Sequence, residues 1–230
     1  MLSPVRIFLV SIVALSVACD DDHVLEPRSF AAVRMFDAAG VDTLGLLFGD
    51  AETPRVTARF RMVSDCIQIP AERHELRFRQ IRASTDIATL DTTLAAGGRY
   101  TIIVAGTSTP RTAVALHDVF TPPDTSTSIL VRFINATSAP GDVHATTPTG
   151  ALGAPTVANL PIIGTGPAPS FVTLPKANTR IRFFPTGDTT GTPRANITLT
   201  GLPANRVTSV VFLDAGTPAG ATAVRIDPCT

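Results

Sequence analysis

The sequence has few of the side chains from which catalytic sites are usually assembled. Its 230 residues include no Trp, one Tyr, four His, three Cys and a single lysine, Lys176. Basic and acidic residues number 19 each, so the formal net charge is zero and gives no long-range attraction for nucleic acid. A charged fraction of 17% beside an apolar fraction of 44% is typical of a folded chain. Nucleic-acid binding is therefore not predicted, and neither is chemistry by clustered His, Cys or Lys.

Motifs for covalent catalysis, cofactors and metals are also missing. No Gly-x-Ser-x-Gly turn of a serine hydrolase occurs, and Gly164-Thr165-Gly166 precedes Pro167 rather than a helix with a lysine. The histidines lack partners at metal-ligand spacing. Several acids stand among turn residues, where Asp bonds to the backbone, as at Asp42, Asp50, Asp65 and Asp142. We therefore predict no enzyme, no metal and no cofactor. The alternative is a cell-envelope hydrolase, active on glycans, whose acidic pair comes from distant loops.

The first residues have the pattern of an export signal. Arg6 precedes about a dozen apolar residues, a run too short to cross a bilayer of roughly 30 Å. The segment Leu15-Ser16-Val17-Ala18-Cys19 resembles a bacterial lipobox, although its Leu lies one residue earlier than usual. We predict a signal peptide over 1–18, an acylated Cys19 and a tether over 19–28. The protein would then be anchored to the cell membrane or outer membrane and face the periplasm or the cell surface. An ordinary signal peptide cut nearby is the alternative.

Two cysteines remain in the exported part. Cys66 and Cys229 would meet an oxidising compartment, in which a disulfide between them persists. Two separate buried thiols fit the sequence equally well. Neither cysteine has a Cys or His at ligand spacing, which argues against a metal site.

The rest of the chain contains the same pattern twice. Val33-Arg34 near the start of one half corresponds to Val131-Arg132 in the other, and Glu75 to Phe78 corresponds to Arg180 to Phe183. Further on, Arg99 to Val104 is aligned with Arg206 to Val211. These matches predict copy 1 over 29–120, a linker rich in Pro and Thr over 121–127, and copy 2 over 128–230. A Gly/Pro/Ala-rich loop between residues 150 and 169 lengthens copy 2.

Each copy has the periodicity of strands. Between residues 71 and 82, Arg and Glu occupy one parity while Leu76 and Phe78 occupy the other, which predicts a strand with one buried face. The Glu, Arg and Ala content also suits a helix, but the equivalent segment in copy 2 ends in Pro185 and Gly187, which would break one. About seven short strands per copy indicate an all-β chain of two tandem antiparallel β-sandwiches, immunoglobulin-like, after the signal peptide.

These residues resemble a known bacterial family. The opening strand with Val-Arg and Asn-Ala, the stretch from Gly141 to His144, and the strands from Phe171 to Arg182 are similar to the domain of unknown function 4397. Copy 1 departs from the family pattern at Glu72 and Arg73. The resemblance implies exported, often lipid-anchored β-domains without an established activity, and it transfers no functional residue.

One group of charges stands out from this neutral background. Arginines of shared parity in copy 1 predict a basic stripe that could hold an anionic group, and they are Arg59, Arg61, Arg77 and Arg79. A solvated strand face is the plainer interpretation. We accordingly predict a binding, adhesion or envelope-structural module. Its partners would be the membrane, through acylated Cys19, and either an anionic envelope polysaccharide or another β-domain.

Overall fold

The computed structural model describes residues 29–108, 110–118, 127–202, 207–214 and 221–229. Within these ranges the regular structure is all β, in sixteen strands. Copy 1 contains β1 to β8: Phe30–Ala38, Thr43–Phe48, Val56–Arg59, Ile67–Pro70, Arg73–Gln80, Asp86–Thr93, Arg99–Ala105 and Thr112–His117. Copy 2 contains β9 to β16: Ser128–Ala136, Gly141–Thr146, Val157–Leu160, Phe171–Pro175, Thr179–Pro185, Ala195–Leu199, Val207–Asp214 and Ala221–Ile226.

The two copies have the same topology. In copy 1, sheet A has the order β4-β1-β7-β8 and sheet B the order β3-β2-β5-β6. In copy 2, sheet C repeats the first order as β12-β9-β15-β16 and sheet D repeats the second as β11-β10-β13-β14. The pairing is antiparallel except for β1 with β7 and β9 with β15, which are parallel. The prediction of two tandem sandwiches is confirmed, with one parallel pair in each.

The segment that suited both helix and strand is a strand. β5 pairs with β2 and β6, and its Leu76 and Phe78 are fully buried while Arg73 and Glu75 are exposed. The alternation of apolar and charged residues decided the outcome, because burying one face of a sheet requires a period of two. Local helix propensity was the weaker influence.

Each sandwich is closed by its own apolar core. In copy 1, Val33, Met35 and Ile102 of sheet A pack with Leu46 and Phe78 of sheet B. Copy 2 repeats the arrangement with a stack of aromatic rings, and its central residues are Val131, Phe133, Val143, Phe183, Val210 and Phe212. The fold therefore has two complete cores, one for each copy.

A third core joins the two copies. The strand residues of opposite parity point away from their own sandwich, so that Phe36 and Ile103 of sheet A and Ile134 and Val211 of sheet C share one buried cluster. All four side chains are fully buried. Sheets A and C therefore pack outer face to outer face, and the molecule is four sheets deep. Burial of this area excludes water from both outer faces and stabilises the pairing of the copies.

Several sequence predictions fall outside the described residues. The signal peptide over 1–18, the tether with Cys19 over 19–28 and nearly all of the linker over 121–127 are among them. Among the described residues, no helix is long and apolar enough to cross a membrane.

Candidate functional site

A buried cluster of polar side chains lies between the two copies. Arg132 of β9 forms an ion pair with Asp118, which follows β8 of copy 1, and both side chains are almost fully buried. Asp118 also accepts a hydrogen bond from the Thr101 hydroxyl at 2.6 Å, and Arg132 donates to the Ser209 hydroxyl at 3.2 Å. The ion pair crosses the interface between sheets A and C. It fixes how the copies are placed, since a displaced Asp118 would be left as an unpaired buried charge.

Arg34 is the counterpart of Arg132 in copy 1. It lies opposite Thr101 in the strand register, as Arg132 lies opposite Ser209, and its Nε donates to the Thr101 hydroxyl at 3.1 Å. Burial lowers the pKa of the Arg34 guanidinium, and the nearby carboxylates of Asp118 and Asp227 raise it in part. Two guanidiniums thus face the same carboxylate, and the interface is held by charge as well as by the third core.

A disulfide also joins the copies. Cys66, just before β4, is bonded to Cys229, which follows β16, and their Cα atoms are 6.0 Å apart. Cys229 is buried, whereas Cys66 is exposed. The sequence left this pairing open, and the structure forms it across the two copies rather than within one of them.

The arginine stripe is largely occupied by partners inside the chain. Arg77 donates to Asp86 at 3.2 Å and to the carbonyl oxygen of Ala51 at 2.7 Å. Arg79 donates to Asp86 and to Glu52, each at 2.8 Å, and these hydrogen bonds raise its pKa. The two guanidiniums therefore hold the loop between β2 and β3 over the outer face of sheet B.

The other two members of the stripe are placed differently. Arg59 is exposed at the end of β3 and faces the same side of sheet B, opposite Thr43. Arg61 lies in the following loop with a φ of 66°, and its guanidinium carbon is 4.8 Å from the centre of the Phe60 ring. The structure thus brings Arg77 and Arg79 together on Asp86. Of the four arginines, Arg59 is exposed and the other three are half-buried.

In copy 2, an arginine likewise holds the loop between the first two strands of its sheet D. Arg182 of β13 stands where Arg77 stands in copy 1, and it donates to the carbonyl oxygen of Gly150 at 3.0 Å in the loop between β10 and β11. Beneath that loop lies His144, 1% exposed, whose ring is nearly perpendicular to the Phe184 ring with 5.5 Å between the two ring centres. Within the described part of the chain, neither ring nitrogen of His144 has a hydrogen-bond partner. The equivalent position in copy 1 is the apolar Leu47.

Asp37 is a second buried group without full hydrogen bonding. Its Oδ1 accepts the Ala39 backbone N–H at 2.8 Å, while its Oδ2 is buried and has no partner among the described residues. Burial raises the pKa of this carboxyl to about 6, although the Ala39 hydrogen bond and the charge of Arg111 oppose the change. Copy 2 has Asn135 at this place, and its amide donates to the carbonyl oxygens of Ala139 and Leu160 at 2.9 and 3.1 Å.

An apolar groove opens in copy 2 between the edges of sheets C and D. It has a volume of about 310 Å³, and core residues Phe133 and Leu160 lie at its floor. Val157 and Val172 form its walls, and the loop over residues 161–170 forms its rim. One side is closed by Val114 of β8, so the groove takes its full shape only when the two copies are packed together.

The carboxylates do not converge in this groove. Asp142, one of the acids considered from sequence, accepts the backbone N–H groups of Asn159 at 2.6 Å and Gly187 at 2.8 Å. These hydrogen bonds lower its pKa, as is typical of an ionised carboxylate that fastens two loops. Within the described ranges, no group of three or more His, Cys, Asp and Glu side chains could hold a metal ion.

The sequence did not reveal the interface cluster, Asp37 or the groove. One signal was present, because Val-Arg occurs at the same place in both copies and a buried arginine on an apolar strand needs a partner. Nothing in the sequence located that partner at Asp118, which lies just before the linker.

Comparison with known proteins gives a family and a distant likeness. No curated protein matches. Two of the solved structures that match are streptococcal. One is titled "Alpha-glucan recognition by family 41 carbohydrate-binding modules from streptococcal virulence factors", at 13% identity and a TM-score of 0.28, over 84% of this chain and 96% of that one. The other is titled "Alpha-glucan binding by a streptococcal virulence factor", at 9% identity and a TM-score of 0.27, over 79% and 92%.

The family assignment comes from the sequence of copy 1 and the start of copy 2. The family model "Domain of unknown function (DUF4397)" matches residues 31–146, which run from β1 to the end of β10. This range is half of the chain, and it includes all of the first sandwich except the first residue of β1. The chain belongs to the DUF4397 family.

Proposed function

We propose that this chain is an exported, lipid-anchored module of the bacterial envelope, in which two sandwiches act as one rigid unit for binding or support. The observation that carries the proposal is the disulfide between Cys66 and Cys229, which joins the two copies. Disulfides persist in oxidising compartments outside the cytoplasm. The lipobox-like segment ending at Cys19 supports the same address.

Rigidity supports a structural or binding role. The third core, the buried pair of Arg132 with Asp118 and the disulfide all act at one interface. Two domains joined only by a linker would move independently, whereas these three contacts oppose such motion. A unit of this kind presents its loops at a fixed distance and orientation from the anchor.

An anionic polysaccharide remains a proposed partner, with Arg59 as its first contact. Arg59 is exposed, while Arg77 and Arg79 already donate to Asp86, Glu52 and Ala51. Charge reversal at Arg59 would lower retention on an anionic glycan column, whereas reversal at Arg79 would chiefly release the loop beside it. Equal retention by the wild-type protein and Arg59→Glu would reject this partner.

The anchor is tested by metabolic labelling of the full chain with radioactive palmitate. We expect label in the wild-type protein and none in Cys19→Ser, with Cys66→Ser as the matched control that keeps its label. Gel mobility with and without reductant then reports the disulfide, since opening it extends the denatured chain. Label in Cys19→Ser, or a fully reduced Cys66 in protein isolated with its thiols blocked, would contradict the proposal.

A further inference from the structure

The groove in copy 2 has the chemistry of a site for a hydrocarbon. Among the residues that the structure describes, no charged side chain lines it, and its polar side chains are those of Asn135 and Ser170. The Asn135 amide is fully used, since its NH₂ group donates to two carbonyl oxygens and its oxygen accepts from the backbone and hydroxyl of Thr137. A ligand rich in hydroxyl groups would therefore lose hydrogen bonds to water on entry and gain few in return.

The volume of the groove favours a small apolar ligand. Its floor consists of core residues, with Phe133 1% and Leu160 5% exposed. Its volume of about 310 Å³ lies at the lower end of the range known for small-molecule pockets. A single aliphatic chain matches this small volume and its apolar lining.

The rim of the groove is restricted by prolines and by a backbone hydrogen bond. Pro161, Pro167 and Pro169 fix their own φ angles, and Ile163 donates its N–H to the Asn135 carbonyl oxygen at 2.7 Å. A rim ordered before binding lowers the entropy cost of binding. The loop is three residues longer than its counterpart over residues 60–66 of copy 1.

The counterpart in copy 1 is held closer to its sheet. There the loop forms two isolated bridges with β1, Phe36 with Val63 and Asp37 with Phe60. In copy 2 one such bridge is present, between Asn135 and Ile162. The longer, proline-rich loop of copy 2 thus stands off its strand, where copy 1 uses the same space for backbone contacts.

We propose that this groove binds a single aliphatic chain, the acyl chain of a fatty acid or of a membrane lipid, with the head group left in water at the rim. The site belongs to copy 2 but needs Val114 of copy 1 as one side. The proposed binding does not depend on acylation of Cys19. It goes beyond the proposed function, which describes a rigid module without naming a ligand for this groove.

The test uses the full chain in isolated membranes and a fatty acid that carries a photoreactive diazirine near its methyl end. After irradiation, peptide mass spectrometry should place the adducts within residues 157–172. Unlabelled laurate and dodecanol should compete equally, because the head group stays outside. Adducts confined to other parts of the chain would overturn the proposal. So would competition by an apolar peptide without competition by laurate, since that result assigns the groove to a protein partner.

Matched variants make the result specific. Ser170→Phe and Ala168→Phe place a ring at exposed positions of the rim, and each should lower labelling of this segment at least about tenfold, equivalent to 1.4 kcal/mol or more of binding free energy. Thr173→Phe adds the same ring on the exposed opposite face of β12 and should leave labelling unchanged. Equal labelling of all three variants would reject the site.

A second probe distinguishes whether the bound aliphatic chain belongs to a free fatty acid or to a membrane lipid. The same diazirine chain is supplied either as free fatty acid or as one acyl chain of phosphatidylcholine in the bilayer. Adducts in residues 157–172 from the free acid alone assign a soluble fatty acid, and adducts from the phospholipid alone assign a membrane lipid. Adducts from neither probe overturn the proposal.

Discussion

Copy 1 and copy 2 share strand order and register but differ in what they place at equivalent buried or bonded positions. Asp37, Leu47 and Cys66 in copy 1 correspond to three different residues in copy 2, and these are Asn135, His144 and Phe171. Each exchange adds or removes a polar or reactive side chain, and with it a hydrogen bond, a buried group without a partner, or a disulfide. The comparison teaches that the repeated topology sets the backbone. Differences between the two sequences then decide which copy forms the disulfide, which copy holds a carboxyl with a raised pKa, and which copy opens a groove.

The exchange of Cys66 for Phe171 has the largest expected effect. In copy 2, the Phe171 ring lies 4.8 Å from the guanidinium carbon of Arg132, whereas Cys66 forms the disulfide to Cys229. The bonded residues are separated by 163 positions, and closing a loop of that length stabilises by about 5 kcal/mol in the chain-entropy description. We expect Cys66→Ser to lower the free energy of unfolding by up to that amount, as measured by urea titration.

A matched control separates the bond from the side chain. The double variant Cys66→Ser with Cys229→Ser should unfold at the same urea concentration as the wild-type protein in reductant. An unchanged unfolding midpoint in the single variant would show that the disulfide does not constrain the unfolded chain.

The two arginines at the interface should respond unequally to removal. Arg132→Met leaves Asp118 buried without its main partner, and uncompensated buried charges cost about 3–5 kcal/mol. Arg34→Met removes a guanidinium whose pKa is lowered by burial and which donates to the neutral Thr101 hydroxyl, so we expect a smaller loss, about 1 kcal/mol. Chemical unfolding of both variants measures the difference. Equal losses would show that the ion pair between copies is no stronger than the bond to Thr101.

The repeat and the strand pattern were predictable from sequence, because each depends on periodicity. Leu76 and Phe78 are buried on one face of β5, as the alternation required. One alignment was wrong by a single residue. The strand register places Ile102 opposite Met35 and Val210 opposite Phe133, so Ile102 corresponds to Val210, whereas the sequence alignment gave it Ser209.

That one-residue error has a physical cause. In β7 and β15, both parities are buried, one in the core of each copy and the other in the third core. Apolar residues therefore occur in succession, and no alternation marks which face is which. The same continuity hid the interface, since an outer face that packs on another domain resembles a buried strand. The groove was unpredictable for another reason, because it depends on how the loop over residues 161–170 stands off its sheet.

Asp37→Asn, which places in copy 1 the residue that copy 2 has at Asn135, should stabilise copy 1 above pH 6. The folded pKa of about 6 exceeds the ordinary pKa of 3.8 of an Asp side chain in water, so the native state favours the protonated carboxyl. Stability from this group is therefore full below pH 4 and is lost as the pH rises through 6. At about 1.36 kcal/mol per pKa unit, the loss approaches 3 kcal/mol. Asp37→Asn should recover most of it at pH 8 and little at pH 4.

The reverse exchange is the control for Asp37. Asn135→Asp should destabilise copy 2 at pH 8, where the new carboxylate would be charged and would lose the two bonds that the amide donates. Arg111 lowers the pKa of Asp37, so Arg111→Gln should raise that pKa further, and the variant should lose stability over a wider pH range than the wild-type protein. Unfolding curves of Asp37→Asn that match the wild-type protein at both pH values would contradict this account.

The exchange of Leu47 for His144 gives the smallest expected effect. Both ring nitrogens of His144 are buried without partners beneath the loop that Arg182 holds, whereas the fully buried Leu47 occupies the same place in copy 1 beneath the loop held by Arg77. An unsatisfied buried polar group costs about 1–3 kcal/mol, and an apolar side chain of similar size avoids that cost. His144→Leu should therefore raise the free energy of unfolding by about 1–2 kcal/mol, and Leu47→His should lower it by a similar amount. Loss of stability in His144→Leu would show that a hydrogen bond of the imidazole, rather than its packing against Phe184, holds this face of sheet D.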